Sequence, residues 1–437
     1  MITRREMLGG SLAAGAAAWL GNRVSPNDRL NVAVVGSSGR GGENLKGLAP
    51  LADVNLVAFC DVDARSLERG LKSSPSAKSF RDWRKMLDGI HKEIDAVVVS
   101  TPDHMHAPVS LAAMRLGKHV YCEKPLTWSI EEARLMAETA RRQKVATQMG
   151  TQGMAGDGAR AGIEMIRTGV LGEIRELHVW TDRAGKGWWP QGIDRPGETQ
   201  PVPANLDWDL WLGVAPERPY NKIYHPFRWR GWKDFGTGAV GDMGIHNAAM
   251  AYAALRPGLP ESVEIVETSE LKAETFPSWS KLRLRFPAAD GRGPLLMYWY
   301  DGDRMPPADL IGGKDVAKNG AIVVGSKATL YSIEWTGANW KLLPEDRFAG
   351  HPRPEATLPR APQEDHHREW VQACKGGTPA FCNFPDLASP LTETMLVANL
   401  ALRTGKKISW DAAAMKAAGC PEADPAIRRE YRKGWAI

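Results

Sequence analysis

The sequence predicts an α/β chain, with a parallel sheet in its first third and a largely antiparallel sheet beyond it. Three observations carry this. Apolar runs alternate with helix-like runs from Asn31 to Met149, a glycine-rich turn closes the first of them, and after Met149 the alternation gives way to longer strand-like runs around an extended loop. At 437 residues the chain exceeds what one compact core usually holds, so two domains are expected, 29–150 and 151–437, behind a segment 1–28.

That segment has the pattern of an address. Thr3-Arg4-Arg5-Glu6-Met7-Leu8 leads into Gly9 to Gly21, small and apolar with Ala-x-Ala spacings, and then into the polar linker Asn22 to Arg29. This resembles a twin-arginine export signal, and its apolar run is too short to span a bilayer comfortably. Met7 replaces the usual Phe and no basic residue follows Leu8, so a disordered tail is the competing reading. A working signal predicts a periplasmic or extracytoplasmic protein with no stable membrane span after export; without one the protein is cytoplasmic. Export by this route carries a folded protein, with any cofactor aboard.

Asn31 to Gly36 is an apolar strand running into Ser37-Ser38-Gly39-Arg40-Gly41-Gly42, and Glu43 to Ala52 has a helical pattern. Glycines permit the tight turn and close backbone approach, while the helix N-terminus offers free N–H groups and a positive dipole end to a pyrophosphate. Ser38 stands at the second glycine position of G-x-G-x-x-G. The next strand, Val54 to Cys60, ends in Asp61, placed to meet adenosine ribose hydroxyls, where its charge favours NAD over NADP. A flexible loop followed by an unrelated acidic turn is the alternative.

The series continues with a strand over Asp95 to Ser100, a helix over Ala107 to Leu116, a strand over Lys118 to Cys122, a helix over Ile130 to Gln143 and a strand over Val145 to Met149. Such a series implies parallel strands with right-handed crossovers. Thr101-Pro102-Asp103-His104-Met105-His106 follows the strand beside which a nicotinamide ribose or ring lies in such a fold. His104 and His106 could be read as a metal pair, but no carboxylate or cysteine set completes it, so both are taken as cofactor-site lining and no metal is expected. Glu123-Lys124-Pro125 ends the Lys118 to Cys122 strand, because proline fixes φ and supplies no ladder donor. Lys124 then points beyond the strand ends, where open α/β sheets bind ligands. A solvated lysine is the plainer reading of a lone Lys-Pro; the nucleotide pattern before it favours chemistry. Candidate cofactor residues are Gly36, Ser38, Gly39, Arg40, Gly41, Asp61, Thr101, Pro102, His104, His106, Glu123 and Lys124.

After Met149, Gly150-Thr151-Gln152-Gly153 opens a helix near Gly158 to Thr168, and Ile174 to Thr181 reads as a strand. The next sixty or so residues read as a loop rich in tryptophan, with Trp188, Trp189, Trp208, Trp211, Trp229 and Trp232. Long loops in compact proteins are usually functional. Flat aromatics with interleaved polar groups suit a carbohydrate, whose C–H faces stack while its hydroxyls need hydrogen bonds. Gln152, Tyr224, His225, Arg228, Trp229 and Trp232 are the candidate substrate residues, against the alternative that the aromatics pack the loop on itself or form a subunit interface. Strands over Ser262 to Thr268, Lys281 to Phe286, Leu295 to Tyr300, Ala321 to Val324 and Thr329 to Trp335 predict the antiparallel sheet, with helices near Glu364 to Cys374 and Pro390 to Arg403. Within this half, Asp242 and His246 lie four apart ahead of a helix over Asn247 to Leu255. On a helix that spacing puts both on one face, and a histidine near a helix N-terminus is held neutral by the dipole and available as a base. A capping Asp and a buried His is the structural alternative.

Composition excludes other classes. The net charge of +5 comes without a basic run, so no nucleic-acid partner or anionic membrane is indicated. Cys60, Cys122, Cys374, Cys382 and Cys420 show neither a CxxC pair nor disulfide spacing.

Together the glycine turn at Gly36 to Gly41, Asp61, Thr101-Pro102-Asp103-His104, Glu123-Lys124-Pro125 and Asp242-x-Gly244-x-His246 resemble the glucose-fructose oxidoreductase, inositol dehydrogenase and MocA (Gfo/Idh/MocA) family. Val324 to Leu330 and Pro390 to Thr394 are similar to it as well. The resemblance implies an N-terminal Rossmann domain, a C-terminal α/β domain with a large, mostly antiparallel open sheet, tightly bound NAD, and a homodimer or homotetramer. It also implies Lys124 as the catalytic lysine, Asp242 as a substrate-binding aspartate and His246 as the proton-transferring histidine. Oxidation of a secondary hydroxyl of a sugar or sugar derivative follows, His246 taking the hydroxyl proton and Lys124 stabilising the oxygen. Outside the cytoplasm the cofactor would have to be regenerated in place, which leaves two cycles: one sugar oxidised and another reduced, or an NAD-dependent glycosidase that oxidises C3, eliminates, hydrates and reduces. A non-catalytic, NAD-stabilised binding protein is a third reading, against which the trio of Lys124, Asp242 and His246 argues.

Overall fold

The computed structural model describes residues 28–184, 189–289 and 291–436. The signal-like motif at Arg4 and Arg5, and Trp188, therefore lie outside the described residues. Among those residues the first sheet has strands β1 (Leu30–Val35), β2 (Val54–Cys60), β3 (Lys78–Phe80), β4 (Ala96–Val99), β5 (His119–Cys122) and β6 (Thr147–Met149), in the order β3-β2-β1-β4-β5-β6. Every pairing is parallel. Near-continuous apolar runs explain this: β4 is buried along its whole length, as a strand covered by helices on both faces must be. The strand order reverses between β1 and β4, and that switch point opens a crevice at the carboxyl ends of the strands.

The second sheet has β7 (Ile174–Thr181), β8 (Ser262–Thr268), β9 (Ser280–Phe286), β10 (Leu295–Tyr300), β11 (Asn319–Gly325), β12 (Thr329–Ser332), β13 (Trp340–Leu343), β14 (Ile408–Asp411) and β15 (Lys416–Ala418). Its order is β13-β12-β11-β7-β10-β9-β8-β14-β15, antiparallel throughout except for the parallel pair β7 and β10. The Gly238–Leu255 helix packs against β7 and β11 and against the Asp157–Arg167 and Ser389–Thr404 helices. It is apolar almost all round and buried to its last turn, as a helix enclosed on all sides must be.

Four expectations are corrected. The Gly238–Leu255 helix starts nine residues before the predicted Asn247, because enclosure outweighs the poor helix propensity of its glycines. The Arg40–Leu48 helix likewise takes Gly41 and Gly42 into its first turn. The tryptophan loop is not structureless: it contains the Trp208–Leu212 helix and a helical turn at Arg228–Gly231, and folds around its own apolar cluster. The His366–Cys374 helix, expected with the second sheet, packs on Arg40–Leu48 and sends Trp370 and Val371 into the core beneath β1 and β2. No described helix is long and apolar enough to cross a membrane.

Candidate active site

A cavity of about 750 Å³ lies over the carboxyl ends of the parallel strands, roofed by the second half of the chain. The turn after β1 forms its floor. Gly36 has φ of +85°, and a Cβ there would stand 2.6 Å from Ser100 O; a Cβ on Gly41 would stand 1.9 Å from Gly36 O. Gly39, with φ of +56°, has nothing within 4 Å of the same position, so the turn is tight beneath and open above. It leads into the nine-residue Arg40–Leu48 helix, whose N-terminus has no side-chain cap. Ser38 keeps its hydroxyl on Ser66 Oγ at 2.8 Å.

Asp61 braces the turn while lining the cavity. Its Oδ2 accepts from Ser37 N at 2.9 Å and Ser37 Oγ at 3.2 Å, and Oδ1 accepts from Asp63 N at 2.9 Å. Burial pushes its pKa up against the pull of those donors. Glu123 Oε1 accepts from Asn44 Nδ2 at 2.9 Å, Arg40 Nε at 3.2 Å and Gln152 Nε2 at 3.2 Å, while Oε2 is buried with no partner among the described residues. Gln152 thus lines the cavity while bound to Glu123. Thr101 Oγ1 and Asp103 Oδ1 are likewise buried and unpaired. Thr101, Asp103 and Glu123 all line the cavity with Pro102. An open glycine cradle at a helix N-terminus, an acid at the end of β2 and unspent polar atoms along one wall fit a dinucleotide.

The two histidines of the Thr101 to His106 turn part company. His106 lines the cavity, its ring held between Thr101 O and Pro125 O at 2.8 Å each. Burial opposes its charge, but Cys122 and the two carbonyls raise its proton affinity overall. His104 does not reach the cavity. It is fully buried, with Nε2 3.0 Å from Trp211 O and Nδ1 3.3 Å from Phe235 O; burial keeps the ring neutral, so its one N–H donates to one of these carbonyls. Asp103, quoted only as part of the motif, takes its place on the wall.

Lys124 follows β5, before a cis peptide to Pro125. Its Nζ donates to Asp242 Oδ1 at 2.7 Å and to Asp242 O at 3.1 Å. One turn along the Gly238–Leu255 helix, His246 faces the same space, its ring edge-on to Trp335 at 4.9 Å between centroids. Its Nδ1 is buried without a partner among the described residues. Burial, then the Lys124 ammonium, holds its pKa well below the ordinary histidine value. The helix dipole, expected as the cause, is not, because His246 is the ninth residue of its helix. Asp242 is held well below the usual carboxylate range: burial would raise it, but Lys124 and Arg230 prevail. The trio joins a fixed ammonium, an ionised carboxylate and a neutral imidazole with a free nitrogen, the parts needed to take a proton and to stabilise an oxygen developing charge.

Arg230 and Trp335 were missed in the sequence. Arg230 Nε stands 3.4 Å from Asp242 Oδ1, and its guanidinium lies over the rings of Trp229 at 4.3 Å and Phe227 at 4.4 Å. Its signal was the alternation of Arg and Trp from Arg228 to Trp232. Trp335 was placed at the end of a strand that stops at Ser332. Of the aromatic candidates, His225 and Trp229 line the cavity. Tyr224 and Trp232 do not: they are buried in the loop's own cluster with Trp211 and Phe235. Arg228 is exposed away from the cavity wall. One group with metal-ligating atoms within 4.8 Å exists among the described residues, Asp365, His366 and His367. Its atoms already serve Tyr121 OH at 2.8 Å, Asn44 Oδ1 at 3.1 Å and the His367 N–H at 2.8 Å.

A family model described as "oxidoreductase family, NAD-binding Rossmann fold" matches residues 30–151, and its companion, "oxidoreductase family, C-terminal alpha/beta domain", matches residues 164–303. Among curated relatives, a "glycosyl hydrolase family 109 protein" of Shewanella pealeana is 28% identical over 171 residues, 37% of either chain. One from Shewanella woodyi is 30% identical over 161 residues, 35% of this chain and 34% of its own. The match thus spans about a third of the length of these relatives. The WlbA dehydrogenase of Chromobacterium violaceum, solved with NADH and UDP-GlcNAcA, aligns with a TM-score of 0.61 at 16% identity, covering 89% of this chain and 98% of its own. An aldose-aldose oxidoreductase of Caulobacter crescentus aligns at 0.55 and 16%, covering 87% and 99%. At such identities the likeness is one of fold.

Proposed function

The chain belongs to the Gfo/Idh/MocA family of NAD-binding oxidoreductases, and from that premise we propose that it oxidises a secondary hydroxyl of a sugar or sugar derivative with a retained, internally recycled cofactor. The observation that carries this is the convergence of Lys124, Asp242 and His246 in one cavity with the glycine cradle. Gly36, Gly39, Gly41, Asp61 and Glu123 would hold NAD, which when bound supplies a hydride acceptor. His246, neutral and lining the cavity, accepts the hydroxyl proton of the substrate. Lys124 holds a positive charge against the substrate oxygen and leaves it there as the carbonyl forms. Asp242, pinned by Lys124 and Arg230, fixes the ammonium and offers an acceptor to a neighbouring hydroxyl.

A second reading is favoured by the curated relatives, which are named as glycosyl hydrolases. In it, oxidation at C3 of a glycoside acidifies the C2 proton; a base removes it, the aglycone departs from C1, water adds, and C3 is reduced again. The cycle is redox-neutral and uses the same proton acceptor. Export, supported by the Thr3 to Leu8 motif, and association into a homodimer or homotetramer belong to the same proposal. Replacement of Arg4 and Arg5 by lysine with fractionation, and light scattering, test them.

The deciding experiment incubates the purified protein, without added NAD, with free sugars and aryl glycosides in D2O under NMR. Keto-sugar or lactone in amounts equal to bound cofactor, rising when a second sugar is supplied, is the expected result. Catalytic aglycone release with deuterium at C2 establishes the glycosidase instead. Neither product from any sugar overturns both readings.

A further inference from the structure

The tryptophan-rich insertion is bonded to the turn after β2, as well as to His104 in the turn after β4. Asp207 N donates to Val62 O at 3.0 Å, Ala64 N to Asn205 O at 2.9 Å, and Asn205 Nδ2 to Asp63 Oδ1 at 2.7 Å, around an antiparallel bridge between Asp63 and Leu206. Arg81 reaches across to donate to Val62 O and, at 3.1 Å, to Asn205 O. In a dinucleotide fold the acid ending β2 marks the adenosine half of the site. Here Asp61, Val62 and Arg69 line the same cavity as Leu210, Trp211 and His225 from the insertion.

The insertion is stiff where it faces the cavity. Trp208 and Trp211 stack at 4.6 Å, and Tyr224, Trp232 and Phe235 meet edge-on around them. Its back is tied down twice more. His104 bonds Trp211 O and Phe235 O, and Arg432 donates to Gly213 O at 3.0 Å and to Asp209 Oδ1 at 2.6 Å. A substrate platform would need none of these ties to the turn after β2; a wall across a nucleotide needs all of them.

We propose that residues 205–235 are part of the cofactor site: they close over the adenosine half of NAD, with His225 and Trp211 facing it, and hold the cofactor between turnovers. This rests on NAD binding and is independent of which sugar is oxidised. Release then requires the clasp at Asn205 and Arg81 to open, so cofactor exchange is slower than turnover.

The full chain is purified, loaded with NAD, mixed with isotope-labelled NAD, and the cofactor retained after rapid desalting is measured by mass spectrometry. Asn205→Ala is expected to exchange about tenfold faster than the wild type, the worth of one hydrogen bond to a buried carboxylate. Lys314→Met, an exposed position outside the cavity, is expected to exchange at the wild-type rate. Should Asn205→Ala lose its melting transition, His225→Ala puts the same question without touching the clasp. Amide hydrogen exchange of 205–235 is expected to slow when NAD is added. Equal exchange rates in wild type and folded variants, or protection of 205–235 that does not respond to NAD, overturns the proposal.

Discussion

Lys124 Nζ lies 2.7 Å from Asp242 Oδ1, and the two residues belong to different sheets' layers: one follows β5, the other sits on the helix beneath β7. Their side chains are 13% and 6% exposed. At that depth the loss of hydration roughly cancels the attraction, so such a pair adds little to stability. What it does is set one distance between the cofactor floor and the substrate helix.

Removing the lysine alone costs stability as well as chemistry, because the buried Asp242 carboxylate loses its main counter-charge. Lys124→Met should retain NAD and melt below the wild type, with turnover down roughly 10²- to 10⁴-fold. Absorbance of released cofactor and initial rates check both halves; unchanged turnover refutes the assignment.

Arg230 acts through Asp242. Arg230→Gln removes a cation that keeps the carboxyl ionised, so the Asp242 pKa rises and the acidic limb of kcat/KM moves to higher pH. Arg230→Lys should restore the limb in part. A parallel drop at all pH values would mark Arg230 as merely structural.

His246 is neutral through mild acid, because its folded pKa lies well below the ordinary histidine value. Activity should thus persist below pH 6, and His246→Gln should lose roughly 10²- to 10⁴-fold at every pH while keeping NAD. A limb of midpoint 6 to 7 that survives Asp103→Asn would overturn this.

Asp103 tests the linkage between charge and stability. Burial pushes its carboxyl up to about 7, so the folded state holds a proton that the unfolded state releases near pH 4. Stability contributed by that proton is complete at low pH and is lost as pH rises towards 7, at most roughly 4 kcal/mol. Asparagine keeps the bond from Thr237 Oγ1, now 2.7 Å from Asp103 Oδ2, without the ionisation. Asp103→Asn should melt higher than the wild type at pH 8, and the gain should vanish at pH 4. Equal melting shifts at both values would refute the buried-carboxyl account.

Gly41 is the tightest position of the glycine turn. Gly41→Ala should cost several kcal/mol and abolish NAD retention, since its Cβ would fall 1.9 Å from Gly36 O. Chemical denaturation and cofactor content report it.

What was legible in the sequence follows from the physics of each feature. The parallel sheet was plain because its strands are uninterrupted apolar runs, and Ile130–Gln143 was plain because Ser129 and Glu132 form a reciprocal cap at its start. Lys124, Asp242 and His246 came from local spacing and proved to share a cavity. Arg230, marked only by the Arg and Trp alternation around it, and Trp335 stood out less, since their importance lies in contacts with Asp242 and His246 made across the fold. Tyr224 and Trp232 misled for the opposite reason: aromatic residues look the same in a sequence whether they face a ligand or each other. Burial alone separates them, and β3, β13, β14 and β15 were too short to show a period.

The His366–Cys374 helix has a consequence for how the chain comes to be. His367 Nε2 meets Asn44 Oδ1 at a separation of 323 residues, and Trp370 fills the core under β1. The nucleotide half of the protein is therefore unfinished when its own strands have left the ribosome, and it waits for a segment synthesised long afterwards. Contacts at such separations form late and slowly, because a long loop must close before they reward it. The nascent chain spends most of its synthesis with an open seam along the Arg40–Leu48 helix, and only near its completion does the phosphate-facing end of the molecule become a finished surface.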